Sequence, residues 1–355
     1  MHMTCAMRSR AGVVSERGFT LIELMIAVGL SLMILAGLVT VFVNNSNTRK
    51  EIERTTRQIE NGRYGIELLS NNLALAGFYA EFDPTILPDP GAVPQACSAV
   101  AADIQAGLAL PVQGYRSATG TTVGLSCLTD LKDGTDVVVV RRTSTCVAGT
   151  TDCDALTADA YFFQASLCNP TSGNEELASP SVMDFYRLDT DTANLDRHQR
   201  TCTVSGCLCS TAPLAEIRRY RTHIFFVANN SVGTDGVPTL KRAELTPSTA
   251  SGWTIVPLVE GIENMKLEYG IDAAGADGMP ESYTPTPGSV ADWRNVTSVK
   301  LYLLAKNTEP SPGYTNTKKY TLDVGTPLYE PTDAYRRHVF NTTVKLTNVA
   351  GRRGI

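Results

Sequence analysis

A single carboxylate, Glu23, sits inside an apolar run that extends from Phe19 to Val43 and reads FTLIELMIAVGLSLMILAGLVTVFV. A charge at the centre of a membrane helix costs about 2.5–3.5 kcal/mol, and less near the interface, so an acid kept in such a run marks a functional site that needs a partner. Two further constellations carry chemistry. His198 with Cys202, Cys207 and Cys209 offers zinc donors, but C-x4-C-x-C lacks the paired hooks of structural zinc, and these thiols are expected to pair instead. Asp189, Asp191 and Asp196 in DTDTANLD echo a calcium loop without its glycine at position six or glutamate at twelve, which reads as a solvated acidic loop. No nucleophile elbow or Cys-plus-His signature surrounds His198, His223 or His338, so the chain is read as non-enzymatic, with no metal and no cofactor. His223, in an apolar strand, reads as a packed core residue. Arg218, Arg219 and Arg221 form a basic cluster that suits a solvated strand face or contact with an acidic partner.

The run that holds Glu23 is too long for a secretory signal core. As a helix it extends about 37 Å, enough to cross a hydrocarbon layer of about 30 Å with some tilt. Arg8, Arg10 and Arg17 precede it and little charge follows before Arg49, which leaves the N-terminus cytoplasmic and the bulk of the chain outside. The nine cysteines agree with an oxidising compartment. Cys5 lies before the apolar run; Cys97, Cys127, Cys146, Cys153, Cys168, Cys202, Cys207 and Cys209 follow it, and eight thiols allow 105 pairings. Cys146 and Cys153, flanking a VAGTTD turn, are the best single candidate for a bridge. A composition of 43% hydrophobic and 19% charged residues is that of a folded protein, and a net charge of −5 gives no reason to expect nucleic acid.

RGFTLIELMIAVGL resembles the class III leader and N-terminal segment of type IV prepilins. The resemblance implies that a dedicated prepilin peptidase cuts after Gly18 and methylates the new amine of Phe19, and that Glu23 is the acid shared across the family. Cleavage would create a cation four residues, or about 6 Å, before Glu23. Pairing Glu23 with a neighbouring subunit's amine would then offset desolvation in the bilayer and set the axial step of an assembly.

Beyond the membrane the sequence turns polar without a proline up to residue 76, and Ile52, Ile59, Ile66 and Leu73 recur every seven residues on one helical face, the expected packing seam to a head domain. Gly77 and Pro84 supply a stop. The expected organisation is a leader at 1–18, a transmembrane helix segment at 19–43, its periplasmic continuation at 44–76, a loop-rich insertion region with the first strands at 77–215, and an antiparallel sheet region at 216–355. Strands are expected at Asp136–Arg142 and in AYFFQASLC; after residue 215 they are expected in EIRRYRTHIFFVAN, TLKRAEL, WTIVPL, MKLEYGID, VTSVKLYLLAK and RHVFNTTVKLTN, and these consecutive strands are expected to pair antiparallel. The fold class is α+β: one long helix on an antiparallel sheet head with disulfide-braced loops.

NGRYGIELLSNNLALAGFY, TDVVVVRRTS, LVEGIENMKLEYGID, SVKLYLLAK and RRHVFNTTVKLTNVAGRR resemble landmarks of the PilW family of minor pilins. That resemblance implies a pilin-like fold and a subunit of the bacterial inner membrane with a periplasmic head. Its implied partners are other minor pilins, the major pilin and a pilus tip adhesin, and its implied role is to prime pilus assembly at the fibre tip. Two rival readings are a minor pseudopilin of the J type from a type II secretion system, and a membrane-tethered periplasmic binding or enzymatic domain.

Overall fold

The computed structural model describes residues 18–118, 123–170, 175–200, 208–274, 277–325 and 327–353. The chain divides into two units, residues 1–53 and 54–355. One helix, α1 (Leu21–Ala74), runs through both. In the first unit its apolar side chains, from Leu21 to Val43, are exposed, and the helix is long and apolar enough to cross a membrane. It ends where expected: Gly77 takes the left-handed conformation (φ 72°) that favours glycine after a helix, and its N–H turns to the Arg141 carbonyl.

The second unit is built on two antiparallel sheets. The larger holds β1 (Val112–Tyr115), β2 (Val137–Thr143), β3 (Phe162–Ala165), β4 (Tyr186–Asp189), β5 (Ile217–Ala228), β6 (Thr239–Leu245) and β7 (Trp253–Glu260). β5 is its spine, pairing with β2, with β3 at its N-terminal end and with β6 at its C-terminal end. The smaller sheet has the order β11 (Arg337–Lys345), β10 (Val296–Lys306), β8 (Ile262–Ile271), β9 (Ser282–Thr284). All the expected strands are present. One expected pairing is not: β7 and β8 are consecutive but belong to different sheets, because the chain crosses at Gly261, whose N–H donates to Pro238 O while its carbonyl accepts from Lys306 N. Three short helices complete the unit: α2 (Ala101–Gly107), α3 (Val290–Arg294) and α4 (Thr347–Arg353).

β2 reads VVVV because it is buried on both faces. Val138 and Val140 enter one core with Phe225, Val227, Met265, Leu267, Val299, Leu301 and Leu303; Val137 and Val139 enter a second with Ile224, Phe226 and an aromatic group around Tyr79, Phe82, Phe163 and Tyr186. Ring centroids in that group lie 5.0–5.8 Å apart. Asp136, just before β2, ties the sheets together: its N–H donates to Met265 O, and its carboxylate accepts from Leu267 N and from Lys266 Nζ at 2.9 Å. Disulfides brace the loops at Cys97–Cys127, Cys146–Cys153 and Cys168–Cys209, the second being the bridge expected from spacing. Cys5, Cys202 and Cys207 lie outside the described residues.

Within the second unit α1 docks on the first core through Gln58, Gly62, Gly65, Leu69 and Leu73. Gly62 is there because nothing larger fits: an added Cβ would stand 2.1 Å from the Phe340 ring of β11. Gln58 Nε2 donates to Ala305 O at 2.7 Å and Arg336 O at 3.1 Å, so even the polar member of this face is satisfied. At the other end Asn348 and Arg352 of α4 donate to Ala76 O and Gly77 O, carbonyls of the turn that follows α1.

Beyond its apolar part the helix-facing side of the large sheet holds His223, 2% exposed, with Nδ1 3.3 Å from Asn72 Oδ1 of α1 and Nε2 3.8 Å from Glu244 Oε1 of β6. Burial pushes the His223 pKa down to about 4, outweighing the carboxylate. Burial works the other way on Glu244, but His223, Arg221 and Arg242 hold it down to about 2.

Two outcomes are expected. Gly62→Ala gains about 1 kcal/mol of helix propensity yet costs about 1–3 kcal/mol in overpacking, so it lowers the unfolding temperature, and Phe340→Leu in the same chain restores it. Both His223 and Glu244 bind fewer protons folded than unfolded, so the stability they confer is complete at neutral pH and lost as pH falls, from about 6.5 toward 4 for His223 and from about 4.5 toward 2 for Glu244. Thermal unfolding of the detergent-solubilised chain, followed by near-UV circular dichroism, should show a loss of up to about 3 kcal/mol between pH 7 and pH 4, which His223→Gln largely removes. An unchanged slope in that variant would assign the acid lability elsewhere.

Candidate assembly interface

The helix N-terminus places the expected processing and assembly residues together. Gly18 and Phe19 precede the first helical residue and are exposed, Phe19 at 88%, and nothing lies within 4 Å of where a Gly18 Cβ would be. Thr20 is the N-cap. Its Oγ1 accepts from Glu23 N at 3.3 Å, while Glu23 Oε2 accepts from Thr20 N at 2.9 Å and from Thr20 Oγ1 at 2.7 Å. This is a reciprocal capping box, two otherwise orphaned donors satisfied by one Thr-x-x-Glu pair. It uses Oε2 alone; Oε1 has no partner among the described residues. Glu23 therefore carries a local structural duty that the sequence reading missed, although the T-x-x-E spacing was there to find. The carboxylate is folded back toward the backbone of Thr20, one residue after Phe19.

The four expected seam residues fare differently. Leu73 is buried in the core and Ile66 is half-buried against it. Ile59 is half-buried and outside the core clusters, and Ile52 lies in the first unit, 62% exposed. The docking face in the second unit is instead the Gln58, Gly62, Gly65, Leu69, Leu73 stripe. It is displaced from the isoleucine heptad because two of its members are glycines, which let the helix backbone approach Phe340, Leu303 and Ile262.

The remaining constellations resolve into local structure. Cys209 is bonded to Cys168, and His198 Nδ1 lies 2.6 Å from Glu176 Oε1, a buried carboxylate that also accepts from Ser166 Oγ. Asp189 accepts from Asp191 N and Asn194 Nδ2, Asp191 from Ala193 N, and Asp196 from Arg197 Nε, so the acids of DTDTANLD are turned onto donors of their own loop and its neighbour. Arg218, Arg219 and Arg221 do not form one cluster. Alternation along β5 places Arg218 on the face opposite the other two, with its guanidinium 5.8 Å from the centroid of the Phe78 ring.

Comparison with known proteins bears on both ends of the chain. Residues 14–39 match the prokaryotic N-terminal methylation motif, and residues 224–348, from within β5 to the start of α4, match the family described as type IV pilus-assembly protein W. No curated protein sequence matches significantly. Among solved structures, a type IV-like pilin from Thermus thermophilus overlaps 62% of this chain and 80% of its own at 13% identity, with a TM-score of 0.25, too low to bear on the fold. The chain is thus similar to type IV pilus-assembly protein W over part of its two-sheet unit, and it carries the prokaryotic methylation motif on an apolar helix long enough to cross a membrane.

Proposed function

We propose that this chain is a minor pilin: a non-enzymatic subunit held in the bacterial inner membrane by α1, with its head in the periplasm. It joins other minor pilins to prime assembly of the type IV pilus and sits at the fibre tip, in contact with the major pilin and a tip adhesin. The observation that carries the reading is the geometry at Glu23. Its carboxylate is pre-oriented by Thr20 with one oxygen still open, at the start of a helix whose next side chains are apolar and exposed. Prepilin peptidase cleavage after Gly18 would leave a charged amine on Phe19. In hydrocarbon a neighbour's amine on the open oxygen would offset the cost of the buried acid and fix the axial offset between helices. The exposed apolar surface from Leu21 to Val43 is what such helices would bury against one another.

Mass analysis of the purified protein should show a chain that begins at methylated Phe19; retention of residues 1–18 would end the proposal. The capping box separates the two roles of Glu23, because glutamine fills the same capping position without the charge. Glu23→Gln should leave membrane insertion and helical content intact while removing the subunit from sheared pili, as should Glu23→Val. Normal incorporation of the glutamine variant would show that the acid serves only as a cap.

A further inference from the structure

The large sheet carries, on the face that bears Val140 and Phe225, a patch of arginines that the pilin reading does not use. Arg142 of β2, Arg219 and Arg221 of β5 and Arg242 of β6 stand on this one face. Arg142 is directly opposite Arg221 in the β2–β5 ladder, a like-charge pair that costs stability. Two acids answer them. Glu244 accepts from Arg221 Nη1 at 2.7 Å and from Arg242 Nη2 at 3.0 Å; Asp154, next to the Cys146–Cys153 bridge, accepts from Arg221 Nη2 at 2.6 Å. Arg219 reaches both acids only at 3.6–3.7 Å. Arg142 donates to the Thr143 carbonyl alone, its Nε has no partner, and burial together with Arg221 and Arg242 lowers its pKa. At the floor of the patch His223 is neutral at pH 7, its Nε2 without a hydrogen bond. Among the described residues, four fixed cations thus face two anions.

A structural ion-pair network has no use for that imbalance, and least for a cross-strand pair of arginines. The side chains of Arg219, Arg221 and Arg242 are 19–25% exposed and Arg142 is half-buried, so the patch is reached from solvent although the Nε atoms of Arg142 and Arg242 are buried. A solvent-facing patch whose guanidiniums outnumber its acids by two matches carboxylates presented by another protein, since guanidinium forks pair with carboxylates bidentately. We propose that this face binds a carboxylate-rich segment of a partner protein, drawn by the two guanidinium charges in excess of Asp154 and Glu244, with Arg142, which has no ion pair among the described residues, and Arg219, held by its acids only at 3.6–3.7 Å, as the contacts. The inference stands apart from the membrane and processing chemistry at Glu23 and is tested without pili.

Fluorescence anisotropy of labelled hexaglutamate, hexaserine and hexalysine against the detergent-solubilised full chain reads it directly. Hexaglutamate should bind and the other two should not, with affinity falling as salt is raised. Arg142→Gln with Arg219→Gln should weaken hexaglutamate at least tenfold, whereas Arg142→Lys with Arg219→Lys, which keeps the charge, should retain most of it. The glutamine pair should also unfold at a higher temperature than the parent when no peptide is present, because it removes an uncompensated repulsion; a purely structural role would lower that temperature. Equal hexaglutamate affinity in the parent and the glutamine pair would overturn the proposal. So would inorganic phosphate displacing the peptide at equal anion concentration, which would mark a site for a free anion.

Discussion

One helix has to satisfy two solvents. From Leu21 to Val43 its side chains are exposed and, Glu23, Ser31 and Thr40 apart, apolar, as lipid or neighbouring helices require; from Arg54 onward it must bury one face against a sheet and keep the rest in water. The change of rule happens inside a continuous 54-residue helix without a proline. The docked half meets its constraint with small residues: Gly62 and Gly65 bring the backbone onto Phe340, Leu303 and Ile262, and Leu69 and Leu73 then fill the core beside Met265 and Leu267. Residues of both sheets, Val138 and Phe225 of the larger and Leu301 and Leu303 of the smaller, meet in the core that receives Leu69 and Leu73.

Much of this was legible. The helix was expected over residues 19–76 and runs from Leu21 to Ala74; its stop at Gly77 rests on the conformation that only glycine adopts without strain. TLKRAEL is β6 to the residue. The docking face was not legible, because a search for periodic large apolar residues passes over glycines whose meaning lies in a phenylalanine 278 positions further on. β1, β4 and β9 escaped notice because three or four residues carry little pattern when, unlike the FF of β3, they hold no apolar run. The short bridge Cys146–Cys153 could be read from its turn, whereas bridges spanning 30 and 41 residues depend on tertiary placement. At Glu23 the unusual setting of the acid drew attention to membrane chemistry and away from its ordinary service as a helix cap, and the structure assigns the second without excluding the first.

The two faces of the large sheet divide their work. One is closed by aromatic rings and disulfide-tied loops; the other passes from the hydrocarbon core beneath α1 to His223 and then to the arginines. Burial neutralises His223 at the boundary, which keeps an additional positive charge away from an already crowded set of guanidiniums. The polar end of this face thus brings a buried imidazole and four guanidiniums together on one sheet.

All three described bridges join residues between Cys97 and Cys209, while α1 and the stretch from residue 224 to 348 contain no cysteine. No covalent crosslink therefore straddles helix and sheet. Tension drawn along α1 falls on side-chain packing and on hydrogen bonds such as those of Gln58, and the hold of the sheets on the helix depends on how well glycine, leucine and phenylalanine interlock, with no disulfide to back them.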